Sequence, residues 1–187
     1  MSIKTNKHLF DAIEKMLQGL SFWMGYKMEC NSGLSIMECV AVEAAIEILN
    51  AHIDHKNYKL ECEYPYKSIP GVVQPGKKRA DIAIIEKASK TCICVMEFKM
   101  TTNTNGGVVS DINKIASIPS SLSRLVVLLS PRKEKTIIGS FITTNNNAKR
   151  KVNLQGCNQP LAVIRAAKAM ETASTSAPFR AICIELI

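Results

Sequence analysis

Three charged residues stand where apolar ones would be expected. Ala80 to Ile85 is a continuous apolar stretch broken only by Asp81, and the apolar run from Thr91 to Met100 ends in Glu97-Phe98-Lys99. A charge taken out of water is expensive unless a partner or a metal compensates it. Glu97 and Lys99 are two apart, so in a strand they share a face. Glu97 follows Asp81 by sixteen positions, a length that suits a hairpin returning the chain to its starting level. Asp81 and Glu97 would then lie side by side with Lys99 next to them. Two adjacent carboxylates repel unless a cation joins them, and a hard divalent cation takes oxygen ligands of this kind. A metal so held can polarise a phosphoryl oxygen, lower the pKa of a bound water and steady a leaving oxygen. A lysine beside it can orient or help deprotonate that water and stabilise developing charge. The competing reading is a surface hairpin with an exposed ion pair. Ile82 to Ile85 and Ile93 to Met96 are too apolar for a solvated ribbon.

The rest of the chain must hold that hairpin in place. Asn6 to Met24 reads as a helix with Leu9, Ile13, Met16, Leu17 and Leu20 on one stripe. Ser35 to Ile53 reads as a second, with Ser35 as N-cap and Glu38 at capping-box spacing. Tyr58 to Tyr66 alternates as a strand, followed by the hairpin strands Lys78 to Glu86 and Thr91 to Met100. A helix from about Val109 to Ile118 stops at Pro119, and Arg124 to Leu129 is an apolar strand of the central, doubly buried kind. Thr136 to Thr143 is a further strand candidate. Pro160 to Thr172 reads as a helix with proline near its start, and Arg180 to Ile187 as a closing strand. This order predicts an α/β domain around a mixed sheet.

Composition bounds the partners. The chain has 187 residues, 47% of them hydrophobic, enough for a sizeable core, and no long uncharged apolar run that would span a membrane. Charges interrupt Met1 to Leu20, which argues against a secretory signal and makes the cytoplasm the expected location. The net charge of +8 is unevenly spread. Met1 to Pro75 holds seven Lys or Arg against nine Asp or Glu, whereas Gly76 to Ile187 holds seventeen against seven. The basic part carries the Lys77-Lys78-Arg79 and Lys149-Arg150-Lys151 triplets, which could neutralise phosphates; a merely soluble basic face is the alternative. The seven cysteines are scattered, with no C-x-x-C pair, and read as reduced, buried thiols. Alternation would put Cys92 and Cys94 on one face. Aromatic residues are 5% of the chain, too few for a base-stacking platform, which favours duplex or structured nucleic acid. Phe22, Trp23 and Tyr26 read as a packing cluster of the first helix.

Asp81, followed on the next strand by Glu97-Phe98-Lys99, resembles the signature of the PD-(D/E)xK nuclease superfamily. Ser35 to Leu129 follows that family's core order of helix, three-stranded meander, helix and strand, about half of the chain. The resemblance implies a restriction-endonuclease-like fold, with residues 1–30 as an N-terminal helical arm for an interface or substrate and residues 31–187 as the nuclease domain. It implies that Asp81 and Glu97 bind Mg²⁺, with Mn²⁺ as a substitute and the Phe98 carbonyl as a further ligand, and that Lys99 serves the attacking water. Many members add a glutamate from the first core helix. Here Glu43 and Glu47 share a stripe with Ile36 and Val40, and Glu43, nearer the middle of the helix, is preferred. Ala80 replaces the proline of the family name. The later helix offers Asp111 and Lys114, which some members place near the site; the default reading here is that they are surface residues.

The expected function is that of a metal-dependent endonuclease acting on DNA as a homodimer, since one small site cuts one strand. Two rivals remain. One is a non-catalytic member that binds nucleic acid or a protein; the other is a structural or regulatory α/β protein with no nucleic-acid role.

Overall fold

Two helices, a six-stranded sheet and a third helix make three layers, and the site lies where the sheet opens at one end. The computed structural model describes residues 6–30, 37–72, 78–100, 106–130, 157, 160–168 and 180–187. Among these, the elements run α1 (Lys7–Cys30), α2 (Glu38–His52), β1 (Tyr58–Pro65), a 3-10 turn (Tyr66–Ser68), β2 (Arg79–Glu86), β3 (Thr91–Met100), α3 (Gly106–Ala116), β4 (Ser123–Ser130), β5 (Leu161–Lys168) and β6 (Arg180–Leu186). The sheet order is β1-β2-β3-β4-β6-β5. Only β3 and β4 pair in parallel, joined by the α3 crossover; every other neighbouring pair is antiparallel.

Strand β4 is buried along its whole length because helices cover both of its faces and strands flank both edges. Leu125, Val127 and Leu129 turn to the layer of α1 and α2, together with Ile82, Ile84, Met96 and Phe98. Val126 and Leu128 turn the other way, to Val108, Ile112 and Ile115 of α3 and to Tyr66 and Ile69 at the 3-10 turn. At roughly 1.5–3 kcal/mol for each large aliphatic side chain, these two clusters supply most of the drive to fold.

Helix α1 belongs to that core. Leu9, Ile13, Met16, Leu17, Leu20 and Met24 are all buried in the cluster that holds α2 and the sheet. It is therefore a packed layer and not a projecting arm: an apolar stripe of this length finds its partner within the chain. Asn6 caps it, its Oδ1 accepting from the N–H of Leu9 at 3.2 Å, while its side-chain amide donates to the Tyr58 hydroxyl at 2.8 Å and ties the helix start to β1. Trp23 is partly buried against the core, whereas Phe22 and Tyr26 are exposed.

Other expectations need correction. The segment read as a helix from Pro160 is strand β5 over Leu161–Lys168, paired antiparallel with β6. Its alanines, lysine and arginine favour a helix locally, and the open edge of β6 overrides them. Helix α2 begins at Glu38, with Met37 in the N-cap position and no side-chain cap bond; Ser35 lies outside the described residues. The buried side of α2 is Ala41, Ala44, Ala45 and Leu49, so the stripe of Val40, Glu43 and Glu47 faces outward. The strand expected over Thr136 to Thr143 also lies outside the described residues. No described helix is long and apolar enough to cross a membrane.

Candidate active site

The hairpin that carries the site is irregular, and the irregularity makes the site possible. Near the turn Ile85 pairs with Cys92, but Ile84 pairs with Cys94, so one extra residue, Ile93, is inserted into β3. A one-residue slip turns every later side chain to the other face. Without the bulge, Asp81 would stand across from Met96. With it, the last pair is Ile82↔Met96, which leaves Asp81 and Glu97 as the next residues on the two strands, near enough that, on top of burial, the Asp81 charge raises the Glu97 carboxyl. The same slip sends Cys92 to the α3 side and Cys94 to the α1/α2 side, so the two thiols do not share a face.

Beyond Ile82↔Met96 the β2–β3 pairing ends, while β3 continues beside β4 as far as Met100↔Leu129. The backbone N–H groups on the edge that β2 has left need other acceptors. Carboxylates supply them. Asp81 Oδ2 accepts from the N–H of Phe98 at 2.7 Å, and Glu38 Oε2 accepts from the N–H of Met100 at 2.9 Å. Glu38, read as half of a capping box, instead reaches from the first turn of α2 to close the end of β3.

Glu97 is 3% exposed, and both of its oxygens are engaged. Oε1 accepts from the Tyr66 hydroxyl at 2.5 Å, and Oε2 meets Lys114 Nζ of α3 at 2.7 Å. Lys114 Nζ also sits 5.4 Å from the centre of the Tyr66 ring, a cation–π distance. Burial pushes the Glu97 carboxyl up to about 7 although both hydrogen bonds favour its charged form. Burial also raises Asp81, against the Phe98 N–H bond and the charge of Lys114. It raises the Tyr66 phenol well above its ordinary range, where the neighbouring Glu97 charge adds to the effect, so Tyr66 acts as a donor.

Lys99 has different partners from those expected. Its ammonium lies 3.3 Å from Glu38 Oε1 and 3.4 Å from Asp111 Oδ2, between α2 and α3. Burial pulls its pKa down, but Asp111 and Glu38 outweigh that and hold it above the ordinary value. Gly107 makes room for its stem: a Cβ there would stand 3.1 Å from Lys99 Cε. Asp111 and Lys114 are thus not surface residues. Each is half-buried and paired with a signature residue. They lie three apart on α3, beside the buried stripe of Val108, Ile112 and Ile115, a spacing that adds to the resemblance, which offers both as candidates near the site. Tyr66 had no such signal.

On the solvent side of the fork, Glu38, Cys39, Val42, Glu43, Ile46, Cys62, Glu63 and Asp81 line a cleft of about 370 Å³. Glu43 shares this cleft with Asp81, and Glu47 is not in its lining. Glu63 lies in β1 between Cys62↔Ile82 and Tyr64↔Ala80, with φ of 51°, a left-handed conformation uncommon for any residue but glycine. Cys39 and Cys62 are exposed, whereas Cys92, Cys94 and Cys183 are buried, so the expectation of uniformly buried thiols holds only for the sheet interior.

The donors present are hard oxygens of the type Mg²⁺ takes. Among the described residues, however, no three His, Cys, Asp or Glu side chains converge on one point for a metal ion. Phe98 directs its N–H to Asp81 and buries its ring on the α1/α2 side. Of the basic residues expected to meet phosphate, Lys78 and Arg79 are exposed at the start of β2, and Arg79 donates to the Glu63 carbonyl at 3.4 Å. Lys77, Lys149, Arg150 and Lys151 lie outside the described residues. No protein-family model matches the chain, no curated protein matches it, and no solved structure matches it.

Proposed function

We propose that the chain is a metal-dependent nuclease of the PD-(D/E)xK kind that hydrolyses phosphodiester bonds, acting on DNA as an endonuclease and working as a homodimer. One observation carries the reading. The bulge at Ile93 sets the register to Ile82↔Met96, so that the next residues on the two strands, Asp81 and Glu97, lie near enough that, on top of burial, the Asp81 charge raises the Glu97 carboxyl at the end of an otherwise apolar hairpin. Glu97 is buried and Asp81 half-buried, and two such carboxylates repel unless cations offset them, which a bound divalent metal would do.

Asp81 and Glu97 would hold Mg²⁺ or Mn²⁺, with Glu43 across the cleft and the Phe98 carbonyl as candidate further ligands. The metal, when bound, would supply Lewis-acid polarisation of the phosphate and a more acidic water. Lys99 is fixed between Glu38 and Asp111 and stays protonated, which suits it to stabilise charge at the phosphate more than to remove a proton. A phosphodiester entering the cleft would meet Glu38, Glu43, Glu63 and Asp81, so a divalent cation would be needed to neutralise them.

A second reading, a nuclease-fold protein that binds without cutting, is favoured by one observation. Glu97 already has both oxygens bonded, and no three ligands converge among the described residues. Incubating the protein with supercoiled plasmid, with and without Mg²⁺ or Mn²⁺, separates the two. Metal-dependent nicking supports the nuclease. Salt-sensitive retention of DNA without nicking supports the binder, and no retention of DNA or RNA under any condition overturns both.

A further inference from the structure

Lys114 stands where a cation is needed. It reaches from α3 to Glu97 Oε2 at 2.7 Å and lies over the Tyr66 ring. Tyr66 takes the other oxygen of Glu97. The positive charge of Lys114 also draws down the pKa of Asp81, Glu97 and Asp111, so one ammonium serves three carboxylates. The other lysine of the site is committed elsewhere, between Glu38 and Asp111. A divalent ion arriving between Asp81 and Glu97 would meet the Lys114 charge within a few ångströms, and in a partly buried site such repulsion is weakly screened. The Lys114 side chain is 24% exposed and ends a flexible four-carbon stem, so it has a route outward.

We infer that Lys114 is the resident counter-cation of the metal-free site, that a divalent metal ion displaces it from Glu97, and that Lys114 thereby sets the affinity for metal. This rests on the metal-binding reading of Asp81 and Glu97 given above. Lys114 acts through Glu97 and is a positioning residue.

The test is calorimetric titration of the full chain with Mn²⁺ at about pH 8, where protons compete little for carboxylates. Lys114→Met keeps much of the stem and removes the charge; it is expected to bind Mn²⁺ on the order of tenfold more tightly than the wild type. Lys114→Arg keeps the charge and is expected to stay near wild-type affinity. A purely structural lysine predicts the opposite for Lys114→Met, since a loosened Glu97 would bind metal less well. Unchanged or weaker binding by Lys114→Met overturns the inference.

A wild-type measurement guards against a variant that does not fold. Acylation of Lys114 by an amine-reactive reagent, followed by mass spectrometry, is expected to speed up when Mn²⁺ is added. No change in its labelling at saturating Mn²⁺ overturns the inference. If wild-type binding is present, is lost in Asp81→Asn, and Lys114→Met shows no gain, only this inference falls. If no form binds Mn²⁺, the metal-binding reading falls with it.

Discussion

Glu97 concentrates the energetics of the site in one side chain. Its burial at 3% exposure is tolerated because a phenol and an ammonium bond its two oxygens, and removing either leaves a buried acceptor unsatisfied. Tyr66→Phe is therefore expected to destabilise the metal-free protein by about 1–3 kcal/mol, read from denaturant unfolding at about pH 8. A variant as stable as the wild type would contradict that bond. The pH dependence has a definite sign. Burial raises the folded-state pKa of Glu97 from 4.5 to about 7, so the folded protein holds this proton more tightly than the unfolded chain. The stability this confers is complete below about pH 4.5 and is lost as pH rises through about 7, an effect of up to roughly 3 kcal/mol. Unfolding curves between those limits should show the wild type losing stability relative to Glu97→Gln, whose side chain does not titrate. Equal slopes would place Glu97 in a more solvated setting. Asp81, Glu97 and Lys99 were legible in the sequence because each breaks an apolar run. Tyr66 and Glu38 were not, and Asp111 and Lys114 only through the resemblance, since their roles come from partners on other elements, far away along the chain.

At the scale of elements, two local features place the site. The Ile93 bulge sets the register that ends at Ile82↔Met96, just before Asp81 and Glu97, and the close approach of α1 to α2 fixes the layer from which Glu38 reaches β3. Gly19 sits at that approach, where a Cβ would come within 2.9 Å of Ile48 Cδ1. Gly19→Val adds branched bulk there and is expected to cost about 1–3 kcal/mol, lowering the melting temperature. Unchanged thermal stability would show that the helices can separate freely. Strong periodicity made α2, α3, the hairpin and β4 readable to within a few residues and placed the start of α1, which runs on past Met24 to Cys30. A bulge leaves no mark in a run such as Ile93-Cys94-Val95-Met96, where every side chain is apolar, so the faces of Cys92 and Cys94 could not be assigned by alternation. The segment after Pro160 shows the converse: its residues suit a helix, and only the presence of β6 makes it a strand.

The whole molecule divides its charge unevenly, and its acidic cleft is a place no polyanion enters without cations. If basic residues hold the nucleic acid, retention should weaken steeply with salt. Neutralising Lys78 and Arg79 together should then flatten the log–log slope by about one unit for each phosphate they neutralise. An unchanged slope would move the binding surface elsewhere. Thiol labelling checks the fold independently: Cys39 and Cys62 should react in the native protein before Cys92, Cys94 and Cys183. Simultaneous labelling of all five would contradict the sheet interior described above. The most direct measurement is the rate at which the purified protein nicks supercoiled DNA in Mn²⁺, compared with Asp81→Ala and Lys99→Ala. Metal-dependent nicking by the wild type is expected, with a loss of at least ~100-fold in each variant. Nicking that persists unchanged in both variants, or its absence from the wild type with either metal, would contradict a nuclease built on Asp81, Glu97 and Lys99.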